Sequence, residues 1–412
     1  MREHICPFFT NKDIERVFLN TNSFERKMNM ENKSNFQCPK CGNSDPKFVG
    51  FKNGEPYCRK CISFSGESAK PRSVRKGTVT FNLKYRLSKD QQEISKKTVE
   101  NYKKGINTLI NAVCGAGKTE LVYCVIAHAL STGKQVGFAV PRRDVAQELF
   151  LRIKDVFSSN KVVLVHGDHH KELRGDIVVL TTHQLYRYEK YFGLLIMDEI
   201  DAFPYQGNDV LDAMFERAVN GNYVMMSATP SDEVLQHFSR QNHDILHLNK
   251  RYHGHELPVP KFIKKIGIGL WFELVNILKR FVQENKPVFI FVPTIQICEY
   301  LCGKLIKQVP GGNFVHSQCR DREKRIKDFR EGKNSYLVTT AVLERGVTVK
   351  NLQVIIYEAD HHLYDESTLV QISGRVGRKY DAPEGEVIFL GSKETTAIHN
   401  AIEQIKTKNA NL

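Results

Sequence analysis

The chain has 412 residues, 41% of them hydrophobic, enough material for two or three domains with cores of their own. Its formal charge of +14 and pI near 9.2 suit a polyanionic partner. No run approaches the roughly 20 apolar residues that cross a bilayer, charges interrupt the first twenty positions so that they read as no signal peptide, and ten cysteines in a chain expected in the cytosol point to thiols or metal rather than disulfides.

In chain order, residues 1–35 form an N-terminal segment without an assignable motif. Residues 36–64 follow as a cysteine module, in which Cys38, Cys41, Cys58 and Cys61 make a C-x2-C-x16-C-x2-C array. That spacing is the one expected of a four-thiolate zinc ribbon, each pair turning tightly enough to aim two sulfurs at one ion. So short a module cannot bury a core, so a structural Zn²⁺ would supply its folding energy. Four cysteines close the site and leave no open position for catalysis. The module also carries Lys40, Lys47, Lys52, Arg59 and Lys60 with Phe48, Phe51 and Tyr57 between them. Such a surface suits bases and phosphates; a purely structural or protein-docking knuckle is the other reading. A basic linker, 65–86, carries Lys70, Arg72, Arg75, Lys76, Lys84 and Arg86, interleaved with Phe81 and Tyr85.

The segment 87–247 holds a phosphate loop. Thr108-Leu109-Ile110 reads as a buried strand, and Ala112-Val113-Cys114-Gly115-Ala116-Gly117-Lys118-Thr119 as the glycine-rich turn of an ATP site, with Ala112 where glycine is usual. Its backbone N–H groups would converge on phosphate oxygens, Lys118 would reach the β- and γ-phosphates, and the Thr119 hydroxyl would hold Mg²⁺. A helical run is expected from Glu120 to Leu130. About 80 residues beyond Lys118, the apolar strand Leu194-Leu195-Ile196-Met197 ends in Asp198-Glu199-Ile200-Asp201. Asp198 is placed to hold Mg²⁺, and Glu199 to orient and deprotonate the attacking water. Ser227-Ala228-Thr229-Pro230 follows another short strand, where small hydroxylated residues can relay hydrogen bonds away from the phosphate site.

A polar link, 248–265, leads to a second lobe, 266–412. Buried strands are expected at Pro287–Val292 and Tyr336–Thr339. Gln371-Ile372-Ser373-Gly374-Arg375-Val376-Gly377-Arg378 then places two arginines three apart, a spacing that on a helix puts both on one face. Facing the phosphate loop across a cleft, Arg375 and Arg378 would act as arginine fingers.

The order and spacing of these motifs across 87–378 resemble those of superfamily 2 helicases and translocases. The resemblance implies an α/β fold of two RecA-like, doubly wound parallel-sheet lobes, here with a small N-terminal zinc ribbon. It places Gln91, or equally Gln92, at the adenine edge and Gly346 at the nucleotide. It further implies nucleic-acid backbone contacts from Pro141, Arg142 and Arg143, from Thr181, Thr182 and His183, and from Thr294, Thr339 and Thr340; each of these short elements could equally be a strand-end turn. With the ribbon in front, and with Asp198–Tyr205, Leu343–Thr348 and Val370–Arg375 as they stand, the chain from Phe36 onward resembles the ComFA family of late-competence ATP-dependent DNA translocases. That likeness implies a DNA-stimulated ATP hydrolase moving on single-stranded DNA. It would sit in the cytoplasm at the inner face of the membrane, peripheral and not embedded, with an oligomer permitted. Its expected partners are a competence channel and a phosphoribosyltransferase-like protein. The motor motifs alone leave open a repair or replication-restart helicase, an RNA helicase, and a nucleic-acid-binding scaffold with a nucleotide-switched conformation.

Overall fold

The computed structural model of the protein describes residues 36–410 except 72, 73, 75, 84, 168, 202–204, 206 and 344–346. Arg72, Arg75, Lys84 and Gly346, singled out above, lie outside the described residues.

Two short strands, β1 (Val49–Lys52) and β2 (Glu55–Cys58), pair antiparallel in the cysteine module. Lobe one follows with β3 (Asn107–Ala112), β4 (Val136–Val140), β5 (Val162–Val165), β6 (Ile177–Thr181), β7 (Phe192–Asp198), β8 (Val219–Ser227) and β9 (His243–Leu248). These seven strands form one parallel sheet in the order β5-β6-β4-β7-β8-β3-β9. Every residue of β4 and β6 is buried, as a sheet covered by helices on both faces demands of apolar runs. Because the strands are parallel, Ala112, Asp198 and Ser227 all end on one edge, with β8 lying between β3 and β7. Ligands of open α/β sheets bind at that carboxyl edge.

Lobe two contains β10 (Lys261–Lys264), β11 (Val288–Phe291), β12 (Gly312–Val315), β13 (Tyr336–Thr339), β14 (Gln353–Tyr357) and β15 (Val387–Gly391) in the parallel order β10-β15-β14-β11-β13-β12. The fold class expected from the motifs is present. The edge strand β10 lies within the stretch read as a link, since Lys261–Lys264 pairs with Ile388–Gly391. Cys298 and Cys302 are buried on one side of the helix Ile295–Gln308 and belong to the lobe-two core.

The cysteine module does not hang free. Its four cysteines are buried in one apolar cluster with Leu109, Val178, Tyr186 and Phe215 of lobe one. The segment after it is tied to the turn Thr182–Arg187: Tyr186 donates to the Ser65 carbonyl at 2.7 Å, Arg187 to the Glu67 carbonyl at 2.8 Å, and Ala69 N–H to the Arg187 carbonyl at 2.8 Å. Among the described residues, no helix is long and apolar enough to cross a membrane.

Candidate nucleotide cleft and nucleic-acid groove

The phosphate loop leaves β3 and turns through Gly115 and Gly117, whose φ values of +83° and +74° suit glycine. Gly117 precedes the short helix Lys118–Leu121, and a second helix, Tyr123–Ser131, follows after Val122. The single helical run expected from Glu120 is thus broken in two, and the first turn aims the Lys118 and Thr119 side chains into the cleft between the lobes.

That cleft is lined from lobe one by Cys114, Gly115, Lys118, Thr119, Asp198 and Glu199, and from lobe two by Arg375 and Arg378. The ammonium of Lys118 stands 3.8 Å from an Asp198 oxygen. Burial pushes Asp198 up to about 6 although Lys118 pulls it down. Burial likewise opposes the charge on Lys118, but Asp198, with help from Cys114, Asp201 and Glu199, outweighs it and raises the lysine pKa. A set of carboxylates and cations lining one cleft has the chemistry that a polyphosphate with a divalent ion calls for. Glu199 adopts φ +57°, a costly backbone for a residue with a side chain and of the kind that collects at functional sites. Gln91 donates to the Ala116 carbonyl at 2.8 Å, whereas Gln92 turns back to the Leu87 carbonyl, so Gln91 is the glutamine that reaches the loop. Ala112, Val113 and Ala116 are buried and offer backbone only.

The two arginines do not share a helix. The helix Glu366–Ser373 stops at Ser373, and Arg375 and Arg378 lie in the turn beyond it, where Gly377 has φ +68°. Gly374 before Arg375 and Gly377 before Arg378 weaken helical propagation, and the turn itself aims both arginines at the cleft. Arg375 is almost fully buried and donates to the Val347 carbonyl at 3.2 Å; Arg378 donates to the Gly374 carbonyl at 2.9 Å.

Further side chains join the two lobes around the cleft. Asp201 accepts from Ser227 and Thr229, each at 2.9 Å, and from the lobe-two residue Gln371 at 2.6 Å. Thr229 also meets Ser367 at 2.9 Å, so the relay suspected at Ser227-Ala228-Thr229 crosses between the lobes. Arg251, from the link, is buried beside Gly115 and donates to the Gly377 carbonyl at 2.9 Å, joining the phosphate loop to the arginine turn. A glutamine or an arginine in a polar stretch carries no signal of such a role.

A second cavity between the lobes gathers Pro141, Arg142, Arg143, Thr181 and His183, with Asp144, Gln184, Arg322 and Val342. Two contacts bridge it: Arg142 donates to the Val342 carbonyl and Arg322 to Asp144, each at 2.9 Å. Thr182 is buried beside this group. Thr294, Thr339 and Thr340 are not among its lining residues. The Thr294 hydroxyl caps the helix Ile295–Gln308, and the fully buried Thr339 donates to the Val315 carbonyl at 2.8 Å, so both hydroxyls are engaged inside lobe two. Exposed His183 stacks on Phe64, bringing the cysteine module to the rim of the groove.

In that module the Cys38 and Cys61 sulfurs are 3.5 Å apart, those of Cys41 and Cys58 3.7 Å, and all four lie within 4.8 Å of one another. Metal–sulfur bonds of roughly 2.3 Å set tetrahedrally give an edge of about 3.8 Å, so the set fits one zinc ion.

Comparison with known proteins agrees with this geometry. Residues 89–238 match the DEAD/DEAH box helicase family, and 273–380 the helicase conserved C-terminal domain. Competence protein ComFA of Streptococcus pneumoniae is 33% identical over 401 residues, covering 92% of this chain and 91% of that protein. The ComFA of Bacillus subtilis is 32% identical over 405 residues, covering 92% and 86%. Among solved structures, Saccharomyces cerevisiae Dbp5 bound to RNA and ADP BeF3 superposes with a TM-score of 0.60 at 19% identity, over 79% of this chain and 92% of that one. Mycobacterium smegmatis helicase Lhr bound to single-stranded DNA and AMP-PNP gives 0.58 at 17% identity, over 79% and 50%. At such identities these two establish the fold alone.

Proposed function

The chain belongs to the ComFA family, ATP-hydrolysing enzymes of the superfamily 2 helicase type, and from that membership we propose that it is a translocase drawing single-stranded DNA into the cell during competence. One observation carries the reading: Lys118, Asp198 and Glu199 of one lobe line the same cleft as Arg375 and Arg378 of the other. ATP would rest its phosphates on Gly115 to Thr119, with Mg²⁺ between Thr119 and Asp198. Glu199 would take the proton of the attacking water while the arginines neutralise the phosphoryl group in flight. Nucleotide binding favours the closed pair of lobes and hydrolysis releases it, as for any ligand that prefers one conformation. The groove bounded by Arg142, Arg143, Thr181 and His183 on one side and Arg322 on the other would then grip a strand alternately. Cys38, Cys41, Cys58 and Cys61 would hold a structural Zn²⁺ that cross-links the two knuckles. In the cell we place the motor beside a competence channel at the inner face of the membrane, with a phosphoribosyltransferase-like partner.

The test is an ATPase titration with single-stranded DNA, duplex DNA and RNA, coupled to displacement of streptavidin from a biotinylated single strand. Strong stimulation by single-stranded DNA with ATP-dependent displacement is expected. Equal stimulation by RNA would reassign the substrate. DNA binding without stimulated turnover would leave a nucleotide-switched scaffold.

A further inference from the structure

The last helix, Thr396–Ala410, lies outside both matched helicase segments, yet its final turn reaches the fuel cleft. Lys408 donates from its ammonium to the Ala228 carbonyl at 2.8 Å. Ala228 is the centre of Ser227-Ala228-Thr229 in lobe one, is almost fully buried, and lines the cleft. The next residue, Asn409, clasps the link between the lobes twice, donating to the Leu257 carbonyl and accepting from Leu257 N–H, both at 2.9 Å. The helix itself is packed on lobe two through Ile398, Ala401 and Ile405. One helix end therefore touches lobe two, the link and the hydrogen-bonded turn of lobe one.

We propose that Lys408 is a positioning residue of the ATP cycle: it holds the Ala228 carbonyl, and with it Ser227 and Thr229 on Asp201, so that the C-terminal helix and the hydrolysis site move together.

The placement is costly unless it is used. Ordering the four-carbon stem loses rotamer entropy. The ammonium lies within electrostatic reach of the like-charged Lys118 as well as Cys114, Asp201 and Glu366. A lysine with no task there would turn to water, as lysines at helix ends ordinarily do. Asp201 is bonded to both hydroxyls flanking Ala228 and to Gln371, so a shift of this turn is a shift of the contact between the lobes. Parting the lobes moves Ala228 away from a helix anchored on the other side, and the Lys408 bond must lengthen or break. It is thus a two-position element whose state depends on closure, the physical requirement for coupling two sites.

The proposal rests on the motor reading only where single-stranded DNA serves as the second ligand. It is tested with Lys408→Met, which keeps the stem and removes the charge, beside Lys408→Arg and Asn409→Ala. For each, kcat and KM for ATP are measured with and without oligo-dT, together with oligo-dT affinity with and without AMP-PNP. Lys408→Met is expected to lower kcat about tenfold with KM little changed, and to bring the nucleotide effect on DNA affinity close to unity. Lys408→Arg should restore most of both. A Lys408→Met protein with wild-type kcat and an undiminished nucleotide effect overturns the proposal. So does one in which Asn409→Ala reproduces every change, since docking of the helix would then suffice. If wild-type turnover ignores oligo-dT, the motor reading falls, while basal kcat of Lys408→Met still decides the role of Lys408.

Discussion

At the scale of single residues, phosphate chemistry leaves few choices, and that is why so much of the cleft could be read before any fold was known. A lysine must follow the glycine turn, and a carboxylate must end another strand at the same edge of the sheet, here the next but one. Lys118 and Asp198 meet both demands at a separation of 3.8 Å. What spacing could not convey is conformation: Glu199 sits at φ +57°, and Arg375 and Arg378 occupy a glycine-interrupted turn instead of one helix face. Nor does a lysine on a terminal helix or a glutamine beside the arginine turn announce itself, because Lys408 and Gln371 gain their roles from partners more than a hundred residues away. Replacement of Arg375 by Ala should reduce kcat by roughly 10³, the scale of an arginine finger, with ATP affinity nearly intact. Steady-state hydrolysis and fluorescent-nucleotide binding separate the two, and parallel losses would make Arg375 a binding residue instead. Lys118→Ala should lose hydrolysis and nucleotide binding together while its circular dichroism and melting remain those of the wild type.

At the scale of elements, apolar runs announced the central strands, and small residues marked where they end. The chain reads less clearly where one element depends on another. The cysteine knuckles could be recognised from spacing alone, but their burial against Val178, Tyr186 and Phe215 depends on residues far along the chain. The edge strand Lys261–Lys264, with lysine at both ends and half-buried apolar residues between, looks like a link until β15 is there to pair with it. Removing metal with a chelator, or Cys38→Ala, should unfold residues 36–64, because the hairpin has no core of its own. Since those cysteines share an apolar cluster with lobe one, melting of the whole chain should also move to lower temperature. Zinc content and calorimetry check both parts; loss of metal with an unchanged melting profile would separate the module from the lobe.

Across the whole molecule, the arrangement of the lobes follows from where hydrogen bonds and charges cross. Arg142 and Arg322 bridge the groove, while Gln371, Arg251 and Lys408 bridge the cleft. Motif order implied that the halves face one another; it did not say which atoms join them, since both partners of each bridge must be folded before either can be recognised. If the groove tracks a backbone, affinity for single-stranded DNA should fall with salt at a log–log slope of about −0.7 for each phosphate neutralised. Arg143→Ala and Arg322→Ala should each reduce that slope by nearly one phosphate, and a response indifferent to ionic strength would exclude such a groove.

Gly374 has one further consequence. A methyl group there would stand 2.5 Å from the Cys114 Cβ of the phosphate loop, so the joint between fuel pocket and second half has room for nothing larger than hydrogen. In the proposed motor, tight seating of that joint, as much as the charges around it, would set the end point of lobe closure and with it the distance a strand travels in each turnover.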